Sequence, residues 1–402
     1  MVKERLNYLV KECRSWIIEH RRDIHQYPEP SRREYRTSKK IYNTLQDLGL
    51  DRVERGYYET GVAGIINGSE PGKTIGLRFD MDALEMEEKT GLSYASREAG
   101  CMHACGHDGH VAIGLGVARV LNQLKNEFAG NIKLIFQPAE EDAPNGGGAR
   151  YMIQEGILED PVVDAAVGLH IWPDLLSGQV GTRPGILTGS SDVFTITVNG
   201  KGSHASQPFK SKDPIVIGAQ IVSSLQTIIS RNIDPFEQVV LSIGIFQGGT
   251  RYNIIPHQVT IKGTVRTYKE EIRKEVSQRI TMISENTARA LGGEAEVDYI
   301  FGHPPVVNDP GMVDCAIKTV KNMLGEENAI LLSRPAPIGE DFAYFAREVE
   351  SVYLCLGSRQ EGQKISNLHS PYFTFDEEIL PLGVKIMAMI AINWLAKKGG
   401  LE

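Results

Sequence analysis

Helical and extended hydrophobic patterns alternate along the first part of the chain. Apolar residues first recur every three or four positions, which predicts a helix with one buried face formed by Leu6, Leu9, Cys13, Trp16 and Ile17. This pattern stops before Pro28, because proline does not continue a helix. A second helix is predicted between Thr37, which can cap its start, and Gly49, which ends it.

Short apolar runs of strand length follow, separated by helical patterns. They are VAGII near Val62, TIGLRF before Asp80, IKLIF before Gln137, VDAAVGL before His170, and SVYLCLG from Ser351 to Gly357. Alternating strands and helices predict an α/β sheet. Polar residues follow the ends of these runs at Asp80 and Asp82, at Glu140 and Glu141, and at His170. Because active sites of open α/β sheets lie at that edge, we expect these segments to converge.

The pattern changes between about residues 190 and 303. Segments that alternate with period two, such as DVFTITVNG and HQVTIKGTVRT, are interleaved with a helix opened by Asp213 and Pro214 and a long charged helix from about Tyr268 to Leu291. This arrangement predicts a small α+β domain with one solvated sheet face. We therefore expect an inserted domain at 190–303 and a main domain made of 1–189 and 304–402, which ends in an amphipathic helix from about Glu377.

Composition narrows the classes of protein that the chain can belong to. It has 402 residues, of which 41% are hydrophobic and 23% charged, as in globular proteins of two or three domains. The net charge of -8 offers no basic field for nucleic acid. The longest apolar stretch, Ile386 to Leu395, is too short to span a membrane. Five cysteines and the lack of a signal-peptide pattern predict a cytoplasmic protein without disulfides.

The densest chemistry lies in MHACGHDGHVA, residues 102–112. Cys105 and His107, separated by one glycine, offer a thiolate and an imidazole that can reach one zinc ion from a turn. Two other interpretations of this pair stay open. The cysteine can be a small buried residue beside unrelated histidines, or it can be a nucleophile whose base comes from elsewhere in the sequence.

Two adjacent acids follow a predicted strand in FQPAEEDAP. Glu141 can bind a metal while Glu140 acts as general base on a water molecule, although a solvated turn would show the same residues. His170 in VGLHIWP and His369 in SNLHSPYF are further donors, or histidines of the core. Five donors serve two tetrahedral ions only if one of them, Cys105 or Glu141, and a water molecule bridge the ions. The full donor set is Cys105, His107, Glu141, His170 and His369.

Ten motifs in order along nearly the whole chain resemble those of the co-catalytic metallo-amidohydrolases related to aminoacylase and the dimetal carboxypeptidases. They are RRDIHQYPEP, LRFDMDALE, MHACGHDGHVA, IFQPAEE, VGLHIWP, GKGSHASQP, GGTRYNIIP, GTVRT, IGEDFAYF and NLHSPYFTFDE. Within that family, the sequence resembles the branch of hippurate hydrolases, auxin-conjugate hydrolases and aminobenzoyl-glutamate hydrolase.

The resemblance implies a catalytic domain with a mixed, mainly parallel sheet flanked by helices and an inserted α+β lid or dimerisation domain. It implies two divalent metal ions, zinc first and manganese, nickel or cobalt as alternatives, bound by the five donors above, with Glu140 as the acid and base. Asp82 resembles the family's orienting aspartate, with Asp80 as a competitor for that role. His204 matches a histidine that reaches across a dimer to polarise the scissile carbonyl. Asn253 and Arg266 match polar contacts to substrate.

Two features depart from the family pattern. Glu85 stands where relatives often have proline, and RPAPIGED is richer in proline than usual before Gly339. His103 and His110, which flank the Cys105 and His107 pair, are expected to be supporting or structural residues. His303 is expected to be structural or on the surface.

The predicted activity is hydrolysis of the amide bond in N-acyl amino acids or small conjugates by a metal-activated water, in a homodimer or higher homo-oligomer. Three alternatives stay open: a dimetal carboxypeptidase or dipeptidase, a non-catalytic metal-binding protein of the same fold, and a cysteine hydrolase that uses Cys105. Neither nucleic acid nor a membrane is expected as a partner.

Overall fold

The structure is a computed structural model that describes residues 2–362 and 364–398. Its helices are α1 (Val2–Gln26), α2 (Tyr35–Asp47), α3 (His107–Gln123), α4 (Gly147–Gln154), α5 (Pro214–Thr227), α6 (Glu270–Ala290), α7 (Pro310–Leu324), α8 (Ala343–Glu348) and α9 (Ile379–Lys398). Its strands are β1 (Arg52–Tyr57), β2 (Gly61–Asn67), β3 (Thr74–Asp80), β4 (Asn131–Gln137), β5 (Ala165–Leu176), β6 (Val180–Thr182), β7 (Gly185–Ile186), β8 (Asp192–Asn199), β9 (Ser203–His204), β10 (Val239–Gly248), β11 (Ile254–Ile255), β12 (Gln258–Thr267), β13 (Glu294–Ile300), β14 (Val307–Asn308), β15 (Ala329–Leu331) and β16 (Glu350–Arg359).

The larger sheet has eight strands in the order β1-β2-β4-β3-β5-β16-β6-β15. The central strands β4, β3, β5 and β16 are parallel, whereas β1, β2 and β6 pair antiparallel with their inner neighbours. The predicted mixed, mainly parallel sheet is therefore confirmed. β3 is buried along its whole length, as expected for a parallel strand covered on both faces.

Helices cover both faces of this sheet. On one face, α1, α2, α3, α7 and α9 share a hydrophobic core with the sheet. On the other face, α4 and α8 pack around Met152, Phe345 and Tyr353. The close approach of α3 depends on glycine, because a Cβ at Gly114 would lie 2.6 Å from the Phe136 ring.

The last helix differs from its prediction. α9 begins at Ile379 and is buried around most of its circumference, so it is a core helix rather than an amphipathic one. It packs against α1, α3 and α7, which leaves little of its surface for water. By length and composition alone, the window Ile379–Lys397 could cross a membrane, but 72% of that window is buried inside the molecule.

A second sheet has four strands in the order β10-β12-β8-β13, and all its pairs are antiparallel. Buried positions alternate along β8, and its inward residues share a separate core with α5 and α6. The two connections to the larger sheet run side by side, since the Ser191 N–H donates to the His303 carbonyl at 3.0 Å. Buried Asp192 accepts bonds from Arg273 beside this crossing. The domain boundaries near 190 and 303 stay a prediction.

The strand before His170 is longer than predicted. We expected His170 to follow the strand, but β5 continues to Leu176. The reason is its parallel pairing with β16, which extends from Ala165 opposite Glu350 to Trp172 opposite Gly357. His170 is therefore a strand residue, paired opposite Cys355 of β16.

Candidate metal centre

A left-handed glycine places the first two donors. Gly106 has φ 88° and immediately precedes α3, which begins at His107. Residues with a Cβ rarely adopt this conformation, whereas glycine does so without strain. The turn lets Cys105, before the glycine, and His107, after it, face the same point at the carboxyl edge of the sheet.

The five predicted donors converge. The donor atoms of Cys105, His107 and His170 lie within 4.8 Å of one another, and so do those of Cys105, Glu141 and His369. Cys105 belongs to both groups, which makes its sulfur the atom best placed to contact two ions. Glu141 also lies within 4.8 Å of His107 and Glu140, so its carboxylate stays an alternative bridge.

The distances between donor atoms, and one ring nitrogen without a partner in the described part of the chain, are those expected of metal ligands. The Cys105 Sγ lies 3.3 Å from His170 Nε2, and His369 Nε2 lies 3.1 Å from Glu141 Oε1. The buried Nε2 of His107 has no hydrogen-bond partner among the described residues. Buried polar atoms are nearly always satisfied, so an unpaired ring nitrogen beside a thiol and a carboxylate fits a metal ligand. The N–H of His369 donates to the Ala104 carbonyl at 2.9 Å, which ties this distant donor to the Cys105 turn.

Hydrogen bonds on the far side of each donor fix its orientation. His107 Nδ1 lies 3.0 Å from the carbonyl oxygen of Asp82 and 3.2 Å from its Oδ1. His170 Nδ1 lies 2.7 Å from the Ile171 carbonyl. An acceptor beside Nδ1 favours the tautomer with its proton on Nδ1, which leaves Nε2 free for a metal, as in known metal sites. Asp82 also accepts the Glu141 N–H at 3.0 Å, so this one carboxylate supports two donors.

Asp80 lies 3.8 Å from His107 Nε2, but its hydrogen bonds go to other groups. It accepts from His110 Nδ1 and Arg78, and His110 Nε2 in turn accepts the Ile171 N–H at 2.9 Å. Both ring nitrogens of His110 are therefore occupied, which supports a structural role for it. His103 is buried beside the turn. Among the described residues, it belongs to none of the clusters of potential metal ligands.

The site has an excess of buried negative charge. Burial and the neighbouring carboxylates of Glu340 and Glu141 raise the pKa of Glu140 well above its usual range. Burial and the nearby acids Glu141 and Glu140 likewise raise the pKa of the Cys105 thiol. Burial disfavours the charged form of His107, but Asp80 and Asp82 outweigh it and raise its pKa to about 10. All three shifts have the direction expected where negative charge is in excess, and a divalent cation would offset that excess.

Sequence reasoning missed a buried polar network behind Glu140. Arg78, fully buried in β3, contacts Asp80, Glu340 at 3.0 Å and Asp341 at 2.6 Å. Donor oxygens of Glu340 and Asp341 lie within 4.8 Å of one from Glu140. The signals were an arginine inside the apolar run TIGLRF and the acidic pair of IGEDF, since buried charges occur in pairs. His303, expected to be structural or superficial, lines the cavity and lies 3.2 Å from the Glu140 carbonyl.

A cavity of about 470 Å³ opens beside the donors. Its polar lining includes Glu140, Arg266 and Ser191, and its apolar lining includes Ile338 and Leu368. The structure thus brings Arg266 to the predicted metal ligands.

His204 and Asn253 lie elsewhere. His204 lies on β9, where it is exposed, and Asn253 immediately precedes β11, the partner strand. The Ala205 N–H donates to the Asn253 carbonyl at 3.1 Å. Neither residue lines the cavity within this single chain.

Comparisons with known proteins identify the family of this chain. Residues 76–393 match the family model described as peptidase family M20/M25/M40. The chain is 39% identical to thermostable carboxypeptidase 1 of Saccharolobus solfataricus over 396 residues, which is 98% of this chain and 99% of the relative. It is 40% identical to an N-acyl-L-amino acid amidohydrolase of Geobacillus stearothermophilus over 77% of this chain and 82% of that protein.

A solved structure from Bacillus subtilis, described as a dinuclear metal binding peptidase from the M20 family, is also similar. It has a TM-score of 0.81 and 35% identity, and the match covers 96% of this chain and 99% of that one. The sheet, the converging donors and these matches along nearly the whole sequence agree with one another. The chain belongs to peptidase family M20/M25/M40 and is a hydrolase.

Proposed function

We propose that this chain hydrolyses the amide bond of N-acyl amino acids or small amino-acid conjugates. The observation that carries the proposal is the position of Glu140, buried beside five convergent metal donors and open to the cavity. Cys105, His107, Glu141, His170 and His369 would hold two divalent ions, zinc first and manganese, nickel or cobalt as alternatives. When bound, such ions lower the pKa of water and polarise a carbonyl group.

Glu140 handles the proton in this proposal. A carboxylate oxygen of Glu140 takes a proton from the attacking water and later delivers it to the nitrogen of the departing amine. A general base works best when its pKa is near the working pH, and burial together with Glu340 shifts Glu140 in that direction. The Asp82 carboxylate keeps His107 and the backbone of Glu141 oriented while the proton moves.

Arg266 and the apolar lining define the substrate end of the cavity. A guanidinium offers a planar, permanently charged fork for the free carboxylate of an amino acid. Ile338 and Leu368 line the same cavity and suit an apolar group of the substrate. Together these residues favour a small, partly apolar substrate that carries a carboxylate.

His204 and Asn253 are proposed to act from a second copy of the chain, because each lies outside the cavity of its own chain. The inserted segment exposes large apolar side chains on β10, α5 and β11, which suits contact with another copy. These side chains are Val240, Ile245, Phe246, Ile215, Val216 and Ile254. In such a homodimer, His204 would donate a hydrogen bond to the scissile carbonyl oxygen, and Asn253 would contact the substrate. A cytoplasmic location belongs to the same proposal.

A carboxypeptidase or dipeptidase activity is the second candidate, supported by the 39% identity to a thermostable carboxypeptidase. A substrate panel of N-acetyl, N-benzoyl, indoleacetyl and aminobenzoyl amino acids beside free dipeptides separates the two activities. A cysteine hydrolase is disfavoured, because burial raises the pKa of Cys105 whereas nucleophilic cysteines have a lowered pKa.

Metal removal combined with Glu140→Gln tests the proposed function. A chelator should abolish hydrolysis of the best panel substrate, and metal analysis should find up to two ions per chain. Glu140→Gln should keep both ions and lower kcat by about 10²- to 10⁴-fold, as expected for loss of a general base. Full activity of the metal-free protein, or a wild-type kcat in Glu140→Gln, would contradict the mechanism.

A further inference from the structure

The backbone that carries Glu140 and Glu141 is held by two buried carboxylates from other parts of the chain. On one side, the Glu141 N–H donates to Asp82 at 3.0 Å. On the other side, the Ala139 N–H donates to Glu34 Oε1 at 2.9 Å. Asp82 was expected from the sequence to orient the site, whereas Glu34 carried no expected role.

Glu34 is fully buried, and two of its side-chain bonds join separate segments. Besides Ala139, its Oε1 accepts the Arg32 N–H at 2.9 Å, and its Oε2 accepts the Thr60 hydroxyl at 2.8 Å. Buried backbone N–H groups are nearly always paired, and Glu34 supplies the acceptor for that of Ala139. The segment before α2 is thereby joined to the turn before β2 and to the loop after β4.

Ala139 needs this support because of its backbone conformation. Its φ of 56° lies in the left-handed region, which is sparsely populated by residues other than glycine. Its carbonyl accepts the Gly148 N–H at 3.0 Å, so both backbone groups of Ala139 are fixed by distant residues. The left-handed residue turns the chain directly before Glu140, so its geometry sets the direction of the next two side chains.

We propose that Glu34 is a positioning residue, which holds Ala139 in its left-handed conformation and so directs Glu140 at the cavity and Glu141 at the other donors. The effect on catalysis rests on the proposed function of Glu140, whereas the effect on the backbone does not. Glu34 itself touches neither substrate nor metal donors.

Three substitutions separate this role from ordinary stabilisation. Glu34→Ala removes the acceptor of the buried Ala139 N–H. Glu34→Gln keeps a carbonyl oxygen for that N–H, and its amide can donate to the Thr60 hydroxyl. Glu29→Ala is the matched control, because Glu29 accepts the Arg36 and Thr37 N–H groups at 2.9 and 2.8 Å but not that of Ala139.

Kinetics on the zinc-loaded enzyme give the first measurement. Small displacements of a catalytic group cost about 100-fold, so Glu34→Ala should lower kcat by about 10- to 100-fold with little change in KM. Glu34→Gln should keep most of kcat. Glu29→Ala should keep the wild-type kcat even if its melting temperature falls as much as that of Glu34→Ala. A kcat within about twofold of wild type in Glu34→Ala, or equal losses in Glu34→Ala and Glu29→Ala, would overturn the proposal.

Amide hydrogen exchange gives a second measurement that does not depend on activity. In the metal-free chains, the Ala139 amide should exchange at least about 10-fold faster in Glu34→Ala than in wild type or Glu29→Ala. Unchanged exchange would overturn the positioning role. If the wild-type chain hydrolyses nothing in the substrate panel, the proposed function fails, and the exchange result still decides whether Glu34 holds this backbone.

Discussion

At the scale of single residues, the main feature of the site is a cluster of buried acidic side chains. Arg78 is in direct contact with Asp80, Glu340 and Asp341, and Glu140 adds another carboxyl beside them. Burying ionised groups is costly unless they are paired. With one arginine among these acids, burial and their mutual repulsion raise the pKa values of Glu140 and Asp341. A further cation would relieve that repulsion, and the neighbouring thiol, imidazole and carboxylate donors are suited to hold one.

Replacing the sulfur of Cys105 tests its place in the donor set. Cys105→Ser exchanges a soft thiolate for a poorly acidic hydroxyl, so zinc affinity should fall by more than the roughly 10- to 100-fold typical of changes outside the ligands. Competition with a chromogenic chelator measures this affinity. Cys315→Ser, which changes a buried thiol on α7, is the control and should bind zinc normally. Equal affinities of the two variants would remove Cys105 from the site.

Arg266 is expected to select substrates with a free α-carboxylate. A desolvated, charge-assisted contact is worth about 2–5 kcal/mol when one partner is truncated, which corresponds to about 30-fold to several thousand-fold. The unmodified protein should therefore cleave an N-acyl amino acid that much more efficiently than its C-terminal amide. Arg266→Ala should lose most of this preference in kcat/KM with unchanged metal content. Equal cleavage of acid and amide by the unmodified protein would contradict the assignment.

The chemical identity of the donors was predictable from sequence, but the division of work between similar residues was not. Asp80 and Asp82 both follow the same apolar run, and nothing in the spacing separates them. In the structure, Asp82 contacts His107, whereas Asp80 is paired with Arg78 and His110. Which aspartate contacts His107 depends on the strand beside β3 and on the residues packed behind it. Both are features of the tertiary structure.

At the scale of elements, buried ion pairs join helices to the segment that precedes the site. On α1, Arg21 and His25 both contact Asp108 in the first turn of α3, at 2.7 and 2.9 Å. His25 also lies 3.3 Å from Glu88, in the segment between β3 and α3. These contacts fix the N-terminus of α3, and therefore the turn with Cys105 and His107, against α1.

The junction at Glu88 should give stability a dependence on pH. Burial opposes its charge, but hydrogen bonds from His25, Thr90 and the Ser96 N–H lower the pKa of Glu88 to about 2. Because the folded pKa is below the unfolded value, this contribution is present above about pH 4.5 and is lost as the pH falls towards 2.

Glu88→Gln should therefore lower the free energy of unfolding at pH 7 by about 1–3 kcal/mol and flatten its acid dependence. Denaturant unfolding across that range measures the effect. Glu19→Gln, an exposed change on α1, should behave as wild type. A Glu88→Gln profile parallel to that of wild type would contradict the argument.

Elements whose hydrophobic period was clear were predicted well, and those set by tertiary pairing were not. The helix α6 and the strands of the smaller sheet follow from periodicity alone. The extension of β5 beyond His170 depends on β16, which lies more than 170 residues later in the sequence. The burial of α9 on most sides depends on packing against three other helices, and a single-sequence pattern does not show those neighbours.

At the scale of the whole molecule, the proposed site is divided between two parts of the chain. The metal donors and Arg266 meet at one cavity, while His204 on β9 and Asn253 directly before β11 stay outside it. The order of motifs along the sequence could predict both sets of residues, but not their separation in space. Exposed apolar residues on β10 and α5 favour contact with a second copy, which would deliver the missing pair.

Mixing two inactive variants tests this delivery. In a heterodimer of His204→Ala and Glu140→Gln chains, one of the two composite sites has both residues intact. Random exchange of equal amounts makes about half of the dimers mixed, so about a quarter of wild-type activity should return. His204→Ala mixed with the double variant His204→Ala, Glu140→Gln is the control and should stay inactive, because no chain supplies an intact histidine. If mass spectrometry shows that the subunits have exchanged and no activity returns, His204 does not act across a dimer.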